Sequence, residues 1–197
     1  MLRIIEFAAE KNVLVFVDED YTDFVDDDKR YTLAEYVNEY SNLFVLRSLT
    51  KFFGLAGVRI GFGVGSPELV GILKKVIMPW SVNSLAMFAA AEAVKDTEFI
   101  KKSRLLISDS KRQMLGMLET VPWLKIYPSE TNFLLIEIIR EDLTSTQLAE
   151  GLAKKGLLIR DCEDFEGLNN KFFRVAVRRP EENRRLIEQI KLFGNPK

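Results

Sequence analysis

Two short runs of purely apolar residues constrain the fold of this chain more than any other feature. Residues 13–17 (Val-Leu-Val-Phe-Val) and residues 43–46 (Leu-Phe-Val-Leu) contain no polar side chain. A strand that is apolar on both faces is typical of a parallel sheet with helices packed on each side. Both runs end abruptly in polar residues, and helix-like stretches surround them. The first half of the chain is therefore predicted to have an α/β fold with a mostly parallel sheet.

The other elements of the first half follow from local signals. Helices are predicted at residues 2–11, 32–39 and 85–94, and a third strand is predicted at residues 58–64. A further helix is predicted to begin at Ser66, because serine is a favoured N-cap and the proline that follows it suits the first helical position. The glycines of the third strand indicate that backbone or a ligand comes close there.

The pattern changes near residue 100. A long amphipathic helix is predicted at residues 97–120, with apolar side chains at near-helical spacing. Shorter segments follow, and they alternate between strand-like and helix-like patterns. The predicted strands are residues 123–126, 132–138, 157–160 and 172–177, and the predicted helices are residues 145–155 and 181–193. This half is therefore predicted to be a small α+β domain.

The charge balance and the apolar content exclude several classes of partner. The 197 residues include 28 lysine and arginine against 29 aspartate and glutamate, a formal net charge of −1, so no nucleic-acid partner is expected. No apolar run is long enough to cross a bilayer, and the residues after Met1 do not resemble a signal peptide, so no membrane partner is expected. The single cysteine, Cys162, excludes an internal disulfide and favours a reducing, cytoplasmic location.

The chain contains no histidine. This excludes Ser-His-Asp triads, Cys-His dyads and histidine-ligated zinc sites, so acid–base chemistry must use lysine, aspartate, glutamate, tyrosine or cysteine. Cys162 is interpreted as a small buried hydrophobe rather than a nucleophile. The carboxylates Asp18, Glu19, Asp20 and Asp23 form a linear run instead of the convergent set that divalent cations prefer, so no metal site is predicted.

Ionisable residues follow both apolar runs, and ligands of α/β sheets bind beyond the carboxyl ends of the strands. Asp18 ends the first run, and Lys51 follows the second. A lysine there could form a Schiff base with an aldehyde, and an aspartate could pair with a cationic ring nitrogen. With Ser48, Thr50 and Arg59 as phosphate ligands, the set matches a site for pyridoxal 5′-phosphate.

Two motifs in this region resemble those of fold-type-I pyridoxal-phosphate enzymes, and in particular the class I/II aminotransferase family. Residues 15–21 (Val-Phe-Val-Asp-Glu-Asp-Tyr) resemble the strand end with the family's Asp-x-x-Tyr pattern. Residues 48–61 resemble its lysine motif, with a serine three residues before the lysine and an arginine eight after it. The resemblance implies that Asp18 binds the pyridine nitrogen, that Tyr21 binds the ring oxygen, and that Lys51 anchors the cofactor and moves protons.

Motifs of the second half resemble the small domain of the same family. Residues 129–135 resemble the segment that opens this domain, and residues 173–177 resemble the strand whose arginine clamps the substrate carboxylate. By that resemblance we expect Arg174, Arg160 and Asn132 to bind substrate. Arginine suits this role because its planar guanidinium pairs with a carboxylate through two hydrogen bonds. A purely structural role stays open for each of the three residues.

Within the family, the resemblance extends to two groups that act on phosphorylated amino compounds. Residues 79–83 and 158–178 look more like the threonine-phosphate decarboxylases of cobalamin biosynthesis than like the histidinol-phosphate aminotransferases. The expected function is therefore decarboxylation of a phosphorylated amino acid, with an aminotransferase as the alternative. The two reactions differ in which substrate bond stands perpendicular to the cofactor ring, and no motif reports that pose.

Enzymes of this family are usually much longer than this chain, and the remaining part would precede Met1. The resemblance therefore implies the C-terminal part of such an enzyme. Residues 1–100 would be the lysine-bearing part of the large cofactor-binding domain, and residues 101–197 would be the small α+β domain. The complete enzyme is expected to be a homodimer. A truncated, inactive fragment or an interaction module is the alternative from a different functional class.

Overall fold

The computed structural model describes residues 1–25 and 30–194. The chain forms two compact units, Met1–Ile100 and Lys101–Lys197. One sheet has three strands and the other has four. Within the described residues, no helix has both the length and the apolar content that crossing a membrane requires.

The first unit combines the three-stranded sheet with short helices. Ser66 caps α2 as predicted, because its hydroxyl accepts a hydrogen bond from the Leu69 amide at 3.3 Å. In the described part of this unit, 3-10 turns lie between the strands at Thr22–Phe24, Ala34–Tyr36 and Ala56–Val58. The other elements, in chain order, are α1 (Leu2–Glu10), β1 (Val15–Asp18), β2 (Leu43–Ser48), β3 (Gly61–Gly65), α2 (Pro67–Val76) and α3 (Ser84–Ala93).

The register of the first sheet determines which residues meet at its edge. Strands β1 and β2 are parallel, with Asp18 opposite Leu46. Strands β2 and β3 are antiparallel, with Ser48 opposite Gly61. The connection between β2 and β3 contains no helix longer than a 3-10 turn, so the chain returns in the opposite direction instead of crossing over. The carboxyl ends of β1 and β2 therefore lie side by side, as the two apolar runs predict.

The glycines of β3 make room for an aromatic ring. A Cβ atom at Gly63 would lie 2.2 Å from the Phe44 ring, and one at Gly65 would lie 2.7 Å from it. Real Cβ atoms do not approach other atoms this closely, so a side chain at either position would displace the ring. The close approach predicted for this strand is thus made by a side chain of the neighbouring strand.

The helix predicted at residues 32–39 is wrong in extent. Only Ala34–Tyr36 form a 3-10 turn. The Glu19 carboxylate accepts hydrogen bonds from the Thr32 hydroxyl at 2.8 Å and from the Leu33 amide at 2.6 Å. A distant side chain therefore takes the donors at the start of this segment, and its backbone follows that contact instead of a regular helix.

The second unit is a four-stranded antiparallel sheet with helices. Its strands are ordered β4-β5-β7-β6. Helix α5 begins with a capping box between Thr144 and Gln147. The long helix α4 begins just before the boundary between the units. The elements, in chain order, are α4 (Thr97–Leu118), β4 (Leu124–Ile126), β5 (Phe133–Ile138), α5 (Ser145–Ala153), β6 (Arg160–Asp161), β7 (Phe172–Ala176) and α6 (Pro180–Leu192).

One continuous core holds the second unit together. Along β5, Leu134, Ile136 and Ile138 are buried, while the residues between them are only half-buried. This alternation is typical of a strand with one face on a core. The other buried core residues come from α4, α5, α6, β4, β7 and the loops: Met114, Leu118, Val121, Leu124, Leu143, Leu148, Leu152, Phe173, Val175, Val177, Leu186, Ile187 and Ile190.

Candidate active site

The end of β1 forms a tight turn that presents three carboxylates in different directions. Asp18 is the last residue of the strand, and its Oδ1 accepts a hydrogen bond from the Asp20 amide at 3.0 Å. This contact orients the turn without using the second carboxylate oxygen of Asp18. Asp18 is exposed, whereas Glu19 is buried and Asp20 is half-buried.

A buried ion pair joins the ends of β1 and β2. Glu19, which is 6% exposed, accepts hydrogen bonds from Arg47 Nη2 at 3.0 Å and from Arg47 Nε at 3.1 Å. Arg47 also lies 3.7 Å from an Asp23 carboxylate oxygen and 2.9 Å from the Thr32 hydroxyl. A buried carboxylate needs such a set of donors to offset the loss of water. No motif in the sequence marks this network, because only the strand pairing brings Arg47 to Glu19.

Two hydroxyls stand just before Lys51. The Ser48 and Thr50 hydroxyl oxygens lie 2.6 Å apart, and the Thr50 amide donates to Ser48 Oγ at 3.1 Å. Thr50 is buried, so its hydroxyl is held in place by the fold. Paired hydroxyls beside a lysine are a donor set suited to a phosphate group.

Lys51 lies against residues of the β1 turn, as the parallel pairing predicts. Its Nζ forms an ion pair with Asp20 and lies 5.5 Å from the centre of the Tyr21 ring. The hydrogen bond that Lys51 Nζ donates to the Asp20 carboxylate is the main cause that raises the pKa of Lys51, and the negative charge of Asp20 adds to it. Partial burial and the positive charge of Arg59 act in the opposite direction. Lys51, Tyr21 and Arg59 are thus close enough to interact electrostatically.

Arg59 occupies an unusual backbone conformation. Its φ is 55°, in the left-handed region that non-glycine residues rarely adopt. Its Nη1 donates a hydrogen bond to the Ala56 carbonyl at 3.2 Å, and the residue is exposed. A non-glycine residue held in this conformation is common at functional sites. The expectation that Arg59 binds phosphate stays a prediction.

In the second unit, Arg160 and Arg174 are directly opposite each other on β6 and β7. Directly paired residues of antiparallel strands project from the same face of the sheet. The Arg174 guanidinium lies 4.3 Å from the centre of the Phe133 ring. Arg160 forms an ion pair with Asp164 at 2.6 Å and lies over the Phe165 ring. The two candidate substrate arginines therefore share one face.

Asn132 precedes β5 and carries a buried side-chain oxygen. Among the described residues, Asn132 Oδ1 has no hydrogen-bond donor, whereas the Asn132 carbonyl accepts from the Val177 amide at 2.7 Å. A buried acceptor without a donor costs about 1–3 kcal/mol, so such atoms usually await a ligand or water. This arrangement fits the expectation that Asn132 contacts substrate.

Lys111 anchors the segment that leads to Asn132, and this lysine is not among the residues predicted from the sequence. Its Nζ donates to the carbonyls of Ser129 at 3.0 Å, Glu130 at 3.0 Å and Thr131 at 3.3 Å. One ammonium group thus satisfies three consecutive carbonyls, which fixes the backbone ahead of β5. No spacing in the sequence marks this lysine among the other charged residues of α4.

The remaining candidates have structural partners. Cys162 is buried, burial raises the pKa of its thiol, and its Sγ lies 3.6 Å from the Arg160 carbonyl oxygen. These features are those of a buried hydrophobe and not of an activated nucleophile. No cluster of three or more metal-ligating side chains occurs in residues 1–25 and 30–194. Glu19 and Asp23 pair with Arg47 instead.

The first-unit residues fit the chemistry of pyridoxal phosphate. The lysine amine, the Tyr21 phenol, the aspartates and the Ser48 and Thr50 hydroxyls belong to the turn after β1 and to the end of β2 and the loop after it. Asp20 Oδ1 is buried and has no hydrogen-bond donor among the described residues. A cofactor with an aldehyde, a protonated ring nitrogen and a phosphate would use this combination of amine, carboxylate and hydroxyl groups.

Comparisons with known proteins place the chain in a family. The model of the family "Aminotransferase class I and II" matches residues 1–190. A Caldanaerobacter subterraneus protein, provisionally named threonine-phosphate decarboxylase, is 38% identical over 95% of this chain and 51% of its own length. Histidinol-phosphate aminotransferase 2 of Archaeoglobus fulgidus is 37% identical over 96% of this chain and 52% of its own length.

A solved structure supports the same assignment. The crystal structure of the histidinol-phosphate aminotransferase from Clostridium acetobutylicum superposes with a TM-score of 0.91 at 28% sequence identity, covering 98% of this chain and 57% of that one. This chain spans about half the length of the curated relatives it matches. The predicted resemblance and the predicted fold class are thus confirmed. The chain belongs to the aminotransferase class I and II family.

Proposed function

We propose that this chain is the lysine-bearing part of a pyridoxal-phosphate-dependent enzyme that decarboxylates a phosphorylated amino acid, such as threonine phosphate. The observation that carries the proposal is the contact of Lys51 with the turn after β1. Lys51 pairs with Asp20 and lies 5.5 Å from the Tyr21 ring, although the two segments are about thirty residues apart in the chain. The relative that is provisionally named threonine-phosphate decarboxylase supports the choice of reaction.

Each residue has a role that its chemistry suits. Bound pyridoxal phosphate supplies the electron sink for the bond that breaks at the substrate's α-carbon. The Lys51 amine holds the aldehyde carbon of the cofactor and moves a proton. The Asp18 carboxylate keeps the ring nitrogen protonated, since a neighbouring negative charge favours the cationic form. Tyr21 donates a hydrogen bond to the ring oxygen, and the phosphate ligands are Ser48, Thr50 and Arg59.

Arg174, Arg160 and Asn132 bind the substrate in this proposal. Within the described part of the chain, Arg174 has a ring contact with Phe133 but no carboxylate partner. A half-buried guanidinium without a counter-ion is costly, so it suits an incoming carboxylate. Arg160 lies on the same face and offers a second cation for the phosphate or the carboxylate. The buried Asn132 Oδ1 accepts a hydrogen bond from a substrate N–H.

A histidinol-phosphate aminotransferase is the second candidate. It is favoured by the Archaeoglobus relative and by the Clostridium structure, which covers 98% of this chain. Both candidates bind a phosphorylated amino compound and use the same lysine. They differ in the bond that breaks, which is the bond to the carboxylate in the decarboxylase and the Cα–H bond in the aminotransferase.

The test uses the complete protein that contains this chain. We expect borohydride reduction to attach the cofactor to Lys51, and Lys51→Ala to abolish the adduct, while Lys75→Ala leaves it intact. An adduct on another lysine contradicts the proposal. Carbon dioxide released from threonine phosphate indicates the decarboxylase, whereas glutamate formed from histidinol phosphate and 2-oxoglutarate indicates the aminotransferase.

We also propose that the complete enzyme is a cytoplasmic homodimer. The single cysteine of the chain supports a reducing compartment, since Cys162 is buried and unpaired with another cysteine. A dimer is typical of the family to which the chain belongs. Light scattering coupled to size-exclusion chromatography measures the mass of the complete protein, and a monomer at micromolar concentration would contradict the dimer.

A further inference from the structure

Asp20 is a second carboxylate within the candidate site, and none of the roles assigned above uses it. Its Oδ2 forms the ion pair with Lys51, and its Oδ1 is buried with no hydrogen-bond donor among the described residues. The Asp20 side chain is 17% exposed, compared with 40% for Lys51. The carboxylate is therefore the more buried partner of this ion pair, and the lysine is the more exposed one.

The neighbouring carboxylates do not compete for Lys51. Glu19 is directed at Arg47 and at the residues of the 32–33 segment, and Asp23 lies 3.7 Å from Arg47. The other groups that act on Lys51 are the Tyr21 phenol and the Arg59 guanidinium, the latter in the opposite direction. Of the groups that influence Lys51, Asp20 alone is a carboxylate in hydrogen-bond contact with its amine within the described structure.

We propose that Asp20 holds Lys51 in its ammonium form and thereby prepares it to donate a proton, which is what decarboxylation requires. In that reaction the bond between the α-carbon and the carboxylate breaks, carbon dioxide leaves, and a proton must be added to the same carbon. A Lys51 ammonium supplies that proton and becomes a neutral amine, which solvent reprotonates. The choice of reaction in this inference rests on the proposed function. The contact between Asp20 and Lys51 does not depend on it.

The alternative reaction, transfer of the amino group, requires the opposite protonation state of Lys51. An aminotransferase needs Lys51 as a neutral amine to remove the α-proton, and a carboxylate on its Nζ opposes the neutral form. The raised pKa of Lys51 agrees in direction with the geometry. Asp20 is thus a residue that favours the decarboxylase over the aminotransferase.

The first experiment needs no cofactor. The reactivity of lysine amines toward acetic anhydride is measured by mass spectrometry as a function of pH on the 197-residue chain. We expect the midpoint for Lys51 to lie above that of Lys75, an exposed lysine of α2 that serves as internal reference. Asp20→Asn should lower the Lys51 midpoint by about one pH unit, which is about tenfold in reactivity at a fixed pH.

Two further variants make this result specific. Asp20→Glu should restore the midpoint in part, and Glu35→Gln, which removes an exposed carboxylate of the same unit, should leave it unchanged. If circular dichroism shows that Asp20→Asn does not fold, Asp20→Ser takes its place, and the comparison of Lys51 with Lys75 in the unmodified chain still applies. The inference is overturned if the Lys51 midpoint equals that of Lys75, or if Asp20→Asn (or Asp20→Ser in its place) leaves the Lys51 midpoint unchanged.

A second experiment on the complete enzyme separates the two proposals. We expect Asp20→Asn to shift the pH profile for decarboxylation of threonine phosphate toward lower pH while the borohydride adduct on Lys51 persists. If Asp20→Asn lowers the labelling midpoint of Lys51 but borohydride attaches no cofactor to Lys51, the Asp20 contact is supported and the proposed function is overturned. An adduct on Lys51 with an unmoved pH profile supports the proposed function and overturns the role of Asp20 in proton donation.

Discussion

The two units of this chain bury their apolar residues in different ways. The second unit has one cluster of sixteen buried residues that draws on three helices and the sheet. The described residues of the first unit form two smaller clusters, of five and four buried residues. Because hydrophobic stabilisation grows with the apolar area removed from water, the second unit contains the larger share of it. The lysine and its partners thus lie in the unit with the smaller cores.

The sheets show the same contrast at the level of single side chains. In the second unit, Phe173 of β7 is 0% exposed. In the first unit, Phe16 of β1 is 53% exposed and Phe62 of β3 is 44% exposed. Much of the ring surface of Phe16 and Phe62 is left uncovered by the described residues, whereas Phe173 packs into a closed core. The comparison indicates that the second unit contributes most to the stability of the chain, whereas the candidate cofactor-binding residues lie in the first unit.

The largest expected effect comes from a phenylalanine in each unit. Phe173→Ala removes a fully buried side chain and should lower the free energy of unfolding by about 3–5 kcal/mol. Phe62→Ala makes the same chemical change at a half-exposed position and should cost less than about 1 kcal/mol. Urea unfolding followed by circular dichroism measures both values. Equal losses in the two variants would mean that the units are equally dependent on their aromatic residues.

A smaller difference between the two units should appear in the hydrogen exchange of the unmodified chain. Native-state hydrogen exchange reports the opening free energy of each segment. We expect amides of β5 and β7 to exchange at least tenfold more slowly than amides of β1 and β2, a difference of about 1.4 kcal/mol or more. Mass spectrometry of peptic peptides locates the exchange. Equal protection in both sheets would show that the chain opens as a single cooperative body and would contradict the comparison.

The smallest effect concerns a carboxylate of the second unit. The hydrogen bond from the Tyr127 hydroxyl at 2.7 Å, and then the Lys125 ammonium at 3.2 Å, lower the pKa of Glu137. A lowered pKa in the folded state stabilises the fold above the unfolded pKa of about 4.3, and this contribution disappears as the pH falls through the folded value. Glu137→Gln should therefore be less stable than the unmodified chain at neutral pH.

The pH dependence is the control for this substitution. The stability difference between the two proteins should shrink on acidification below about pH 4, where the carboxylate becomes protonated. Urea unfolding at several pH values measures it. A difference that stays constant across this range would mean that Glu137 contributes through packing and not through its charge.

Much of this architecture could be predicted from local signals. The apolar runs at residues 13–17 and 43–46 correspond to β1 and β2, and their parallel pairing is as predicted. Ser66 caps α2 because capping depends on residues within one turn. The amphipathic pattern at residues 97–120 corresponds to α4 within two residues. These elements depend on short-range contacts and on the period of apolar side chains, which a sequence displays directly.

The features that were predicted wrongly, or not predicted, from the sequence share a physical cause. The helix predicted at residues 32–39 is a 3-10 turn because Glu19, thirteen residues away, captures its first donors. The Glu19–Arg47 pair and the three carbonyls bound by Lys111 involve partners that are distant in the chain. Long-range contacts leave no periodic signal, since either partner alone resembles an ordinary charged residue.

The amino-acid sequence by itself determined the kind of chemistry available to this protein. The absence of histidine, the Lys51 motif and the turn from Asp18 to Tyr21 identified the cofactor class and the family before any contact was known. Those features are properties of residue type and spacing, and the family comparison agrees with them.

The tertiary structure decided which charged groups act on one another. The parallel pairing of β1 with β2 brings Asp20 to Lys51, and the pairing of β6 with β7 places Arg160 and Arg174 on one face. Electrostatic interactions fall off with distance and depend on burial, so the protonation of Lys51 is a property of the folded sheet edge and not of the lysine motif. Strand pairing joins segments that are distant in the chain, which is the physical reason that these side-chain contacts required the structure.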